Sequence, residues 1–140
     1  MSIDRELFAT LDETEQAELL VRLSRSAAMS VTGHDDIQET LLLNTALSER
    51  LLKGDYDVKS ELMKFIEDPD MKSDFGSIYE VINGDEKASA ALHIVSYGCA
   101  FNLRLAAKKM GLHILPDPVL EALPDIADFY FDQAEILGLT

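Results

Sequence analysis

The chain has 140 residues, 47% of them apolar, with 26 acidic against 12 basic side chains and a formal net charge of −14. One globular domain of ordinary composition fits that length. An excess of this sign excludes binding of nucleic acid by general electrostatics, which runs on clustered Lys and Arg, and excludes anionic membrane surfaces for the same reason.

Helical periodicity runs along the whole chain. A short helix is expected over roughly residues 3–10, followed by one over 12–31. In the latter, Ala17, Leu20, Val21, Ser24, Ala28 and Val31 recur at spacings of 3 and 4 and share a face, while Glu13, Glu15, Glu18, Arg22 and Arg25 fall largely off it. Asp12 with Glu15 has the pattern of a capping box, in which each member satisfies a free amide of the first turn. The same pattern at Asp36 and Glu39 predicts a helix over 36–53, with Ile37, Leu41, Leu42, Leu43, Ala46, Leu47, Leu51 and Leu52 as its apolar set. Two more are expected at 57–67 and 69–82, the second opened by Asp68-Pro69, because proline is tolerated in a first turn.

A long helix follows at 85–110. Its stripe of Ala88, Ala91, Leu92, Val95, Cys99, Leu103 and Ala106 is widened by Ile94, Phe101 and Leu105. Small residues (Ala90, Gly98, Ala100, Ala107) let neighbours approach closely. A helix apolar nearly all round belongs at the centre of a bundle. The run from Ala88 to Ala107 is long enough to raise a membrane span, but His93, Asn102 and Arg104 interrupt it, and a central Arg costs about 2.5–3.5 kcal/mol in a bilayer. Helices at 117–123, opened by Asp117-Pro118, and at 124–137 close the chain. Gly33, Gly54, Gly84, Gly111 and Gly138 each follow a periodic run, where a left-handed residue is wanted. Alternating β-branched or aromatic runs are missing. The fold class is therefore all-α: one domain over 1–140, a bundle of six to eight helices around the apolar helix near 85–110.

The single cysteine, Cys99, rules out an intramolecular disulfide framework, and the charged start Ser2-Ile3-Asp4-Arg5-Glu6 lacks the apolar run of a signal peptide. Both point to the cytoplasm. Catalytic and metal signatures are scarce. A bundle metal site needs Glu three residues before a His, but Ala90 and Met110 precede His93 and His113 at that spacing, and Val31 precedes His34. Asp68, Asp70 and Asp74 fit a calcium loop, but Ser73 stands where its turn glycine belongs and Tyr79 where its bidentate Glu belongs. Cys99 and His93 point to different faces of one helix, and neither a Walker sequence nor a glycine-rich phosphate loop is present. No cofactor and no metal is implied.

The C-terminal 30 residues hold six acids and no Lys or Arg. Asp125, Asp128, Asp132 and Glu135 recur at near-helical spacing, with Phe129, Tyr130 and Phe131 interposed. Such a stripe is ordinarily a solvated face. Its functional reading is an interaction surface of Asp125, Asp128, Tyr130, Asp132 and Glu135 for a protein partner with a basic surface. A different reading places a small-molecule or metal pocket around His93, Tyr97 and Asn102. A third is a structural homodimer, because Leu41–Leu43, Leu47, Leu51 and Leu52 spread apolar surface broadly.

The stretch Ala90-Ala91-Leu92-His93 through Ala106-Ala107, then Ile114-Leu115-Pro116-Asp117-Pro118-Val119-Leu120-Glu121, resembles the C-terminal half of small all-helical immunity proteins of bacterial polymorphic toxin systems. The likeness covers about 50 residues; the N-terminal half has no matching motif, and the tryptophan common in such proteins is missing. The resemblance implies a toxin-neutralising binder without catalysis, and carries over no site residues.

Overall fold

The computed structural model describes residues 5–58, 60, 84–110 and 128–139. About 84% of these are helical and none is in a strand. The helices are α1 (Arg5–Thr10), α2 (Glu13–Met29), α3 (Asp35–Leu52), a 3-10 turn at Tyr56–Val58, α4 (Glu86–Met110) and α5, whose described part is 128–136. The helices expected over 57–67, 69–82 and 117–123 lie largely outside the described residues, as do Gly111, Asp125, the calcium-loop segment 68–79 and the stretch Ile114–Glu121.

The expected core of α2 forms as its spacing dictates: Ala17, Leu20, Val21, Ser24 and Ala28 are all buried, and the five charged residues named with them are exposed. Leu19, Leu23 and Ala27 are buried too, which widens the face. The capping box is complete. The Glu15 amide donates to Asp12 Oδ1 at 2.8 Å, and Glu15 Oε1 accepts from the Asp12 amide at 3.4 Å. The helix stops at Met29, two residues earlier than periodicity suggests, because the Ser30 amide and hydroxyl both fold back on the Ala27 carbonyl, at 3.1 and 2.7 Å. Gln38 of α3 reinforces that end. Its Nε2 donates to the carbonyls of Ala28, Met29 and Val31 at 3.0 to 3.3 Å, so a side chain of the next helix satisfies acceptors that the helix end leaves open. Gln16 does the same for α1, donating to the Phe8 carbonyl at 2.9 Å.

The second expected capping box does not form. α3 begins at Asp35 with His34 as its N-cap, and no side chain caps it. The start at Asp35 puts Asp36 inside the first turn rather than at the N-cap, and the ring of the N-cap residue His34 is turned to α4, its Nε2 3.0 Å from Asp85 Oδ2. Asp85 uses its other oxygen to cap α4, accepting from the Ala88 amide at 3.1 Å. That amide, aided by His34, holds the Asp85 carboxyl below the ordinary carboxylate range. One carboxylate thus fixes the starts of two helices to each other. At the C-termini of α3 and α5 the stop signals work as expected. Gly54 (φ 98°) and Gly138 (φ 71°) donate to the carbonyls of Leu51 and Glu135, and the residues after them donate to Arg50 and Ala134, the paired bonds of a Schellman motif.

α4 packs on both α2 and α3, which also pack on each other. Lys108 meets Glu13 at 2.8 Å while His34 meets Asp85, so α4 runs antiparallel to α2 and parallel to α3. Sixteen residues of α4 are buried, the whole expected stripe among them, and Leu92, Val95, Cys99 and Leu103 are fully enclosed. Each enclosed Leu or Val contributes about 1.5–3 kcal/mol of hydrophobic stabilisation. At Gly98 the two helices approach closely: a methyl placed there would sit 2.5 Å from Ser24 Oγ and 3.3 Å from the Leu20 carbonyl oxygen.

The inward face of α3 differs from the leucine face expected. Ile37, Leu41 and Leu51 are buried as foreseen, but Asn44, Thr45 and Ser48 share that face, while Ala46 is exposed and Leu43 is 60% exposed. Asn44 and Thr45 bury cheaply because their side chains bond within the helix, Asn44 to the Thr40 carbonyl at 2.9 Å and Thr45 to the Leu41 carbonyl at 2.8 Å.

Candidate functional site

Two groups of residues singled out from sequence meet in space. His93 and Tyr97, one turn apart, share a face of the central helix, and α5 lies across them. Tyr130 stacks on Tyr97 with centroids 4.4 Å apart, and Phe129 approaches His93 at 5.1 Å. The array continues through Phe101, 6.3 Å from Tyr97, to Phe8, which packs edge-on against Phe101 and Phe131 at 6.2 and 5.2 Å. Arg104 covers the far side, its guanidinium carbon 5.0 Å from the Phe101 centroid. Aromatic pairs of this kind contribute about 0.5–1.5 kcal/mol each beyond burial. Phe131 and Ala134 are buried, so α5 is seated by an apolar face against α2 and α4.

Asn102 is not brought into this group. It stands half a turn away from His93 on the helix, is 2% exposed, and donates from Nδ2 to the Gly98 carbonyl at 2.9 Å. Among the described residues its Oδ1 has no partner, nor has the buried Ser24 hydroxyl. The cavity beside Tyr97, walled by Leu20, Leu23, Ile94, Tyr130, Phe131 and Ala134, measures about 10 Å³. That is room for about one water molecule.

Burial sets the acid–base character of the cluster. It pushes the Tyr97 phenol up to about 12 and raises Tyr130, so both stay protonated at neutral pH. Burial lowers His93 below the ordinary imidazole value, which favours the neutral ring. Cys99, fully enclosed and donating to the Asn44 carbonyl at 3.6 Å, has its thiol pushed up to about 12 by burial, and a thiol at that value is a poor nucleophile. Among the described residues, no group of three or more His, Cys, Asp or Glu is gathered to hold a metal ion. Nor is any helix there long and apolar enough to cross a membrane.

The outer face of α5 is different in kind. Asp128, Asp132 and Glu135 are all exposed, as their spacing of 4 and 3 predicts. Tyr130, expected among them, turns inward to Tyr97. Its place at the surface is taken by Phe129, 46% exposed, and by Ile136, 37% exposed. These two are seven residues apart and so lie one above the other, beside the acidic row. That spacing was readable: 129 and 136 repeat the interval of 128 and 135. No protein family matches the chain, and comparison with curated proteins and with solved structures gives no match either.

Proposed function

We propose that the chain is a non-enzymatic cytoplasmic protein that binds a protein partner with a basic surface through α5, as an immunity or antitoxin-like inhibitor does. One observation carries this reading: an exposed row of Asp128, Asp132 and Glu135 runs beside exposed Phe129 and Ile136 on a helix whose opposite face is firmly seated. Acidic surfaces speed encounter with basic proteins, and a desolvated aromatic beside them supplies the contact energy. Nucleic acid and membrane surfaces have no part in it, given the overall charge of −14.

The test is capture of partners from a lysate of the native cell, by the unaltered chain and by a variant carrying D125N, D128N and D132N, with F129A as a second variant. A partner held by the unaltered chain should be lost from both, and its capture should weaken with added salt. Retention of every partner by both variants refutes the surface.

A further inference from the structure

A second opening lies between α2 and α3, a groove of about 360 Å³ that falls at the small end of the range for ligand sites. Its floor is apolar, formed by Val21 and Leu52, and its rim is ionised. Glu49 fixes one wall, because it pairs with Arg25 of α2 and, at 3.2 Å, with Lys53. Those cations hold its carboxyl below the ordinary range. The remaining two rim charges, Glu18 and Arg22, stand one turn apart on α2 and make no ion pair among the described residues. An unengaged acid and an unengaged base thus face one apolar floor.

The charge of the whole molecule narrows what fits. A chain of net charge −14 repels an anion at long range, and a simple cation drawn to it would meet Arg22, Arg25 and Lys53 at this rim. A neutral zwitterion escapes both penalties. We propose that this groove binds a free α-amino acid with an aliphatic side chain: its ammonium group on Glu18, its carboxylate on Arg22, and its side chain on Val21 and Leu52. Glu49, already held by two cations, shapes the wall and leaves Arg22 for the ligand. This site is separate from the α5 surface and does not depend on it.

Titration of the isotopically labelled protein with L-leucine, followed by amide chemical shifts, tests the proposal. Saturable changes are expected at Glu18–Arg25 and Glu49–Lys53. Because exposed ion pairs are weak, E18Q and R22Q should each weaken binding roughly threefold to fivefold. Isocaproate, which lacks the ammonium group, and isoamylamine, which lacks the carboxylate, should lose comparable affinity, and glycine, lacking the apolar body, should not saturate. Both altered residues are exposed, so the variants keep the fold. The proposal is overturned if L-leucine gives no saturable change in the groove, if R22Q binds it as the unaltered chain does, or if isocaproate binds equally well.

Discussion

Gly98 packs α4 tightly on α2, and G98A puts a methyl into that contact. The added carbon meets Ser24 Oγ at 2.5 Å and the Leu20 carbonyl oxygen at 3.3 Å. Overpacking of this kind costs about 1–3 kcal/mol. Alanine returns roughly 1 kcal/mol through its better helix propensity, so a net loss of about 1 kcal/mol is expected. The Ser24 hydroxyl is buried without a hydrogen-bond partner, so S24A alone should leave stability unchanged or raise it by up to about 1 kcal/mol. The double variant removes both the nearest obstacle and the orphan hydroxyl. It should exceed the sum of the single effects by roughly 1 kcal/mol, well above the 0.3–0.5 kcal/mol within which independent sites add. Urea titration of the four proteins, with unchanged slope and shifted midpoint, measures this cycle. A G98A protein more stable than the parent, or a cycle that closes additively, would refute the close approach of the two helices.

Two further outcomes are expected. Because burial holds His93 neutral in the fold, the unfolded chain takes up a proton first as pH falls below the ordinary value of 6.5. Stability should therefore decline from about that pH until the folded ring also titrates; H93Q should remove this part of the decline, as urea midpoints at pH 7.5 and 5.0 will report. Replacing Gln38 by Leu strips its donors from three carbonyls at the end of α2, and should cost about 1–2 kcal/mol in thermal or urea unfolding; Q38E, which carries no donor when ionised, should fare no better.

Features set by neighbours in sequence were legible without coordinates. The Asp12–Glu15 box closes over three residues, and the Gly54 and Gly138 stops act within their own last turns. The stripe of the central helix was also plain, because its apolar residues crowd together whichever partners they meet. What escaped depends on residues distant in the chain. α3 starts one residue before the cap pattern at Asp36, and its N-cap residue His34 is claimed by Asp85, 51 residues away. α3 carries apolar residues round much of its circumference, and only its contacts with α2 and α4 decide that Asn44, Thr45 and Ser48 turn inward while Leu43 stays out. In the site, acid spacing alone marked Asp128, Asp132 and Glu135, but the inward turn of Tyr130 required Tyr97 on another helix.

The shared carboxylate of Asp85 also bears on the order of folding. Gln38 joins α2 to α3 across 10 residues or fewer, whereas the link from His34 to Asp85 spans 51 and that from Glu13 to Lys108 spans 95. Closing a 51-residue loop rather than a 10-residue one costs roughly 1.4 kcal/mol more in chain entropy. Loop entropy therefore favours pairing of α2 with α3 before α4 docks, and φ-values higher in the hairpin than in α4 are the expected result. The His34 bond then serves as a register mark: with the Gly98 contact and the Lys108–Glu13 pair, it fixes which turn of α4 stands at the top of the hairpin.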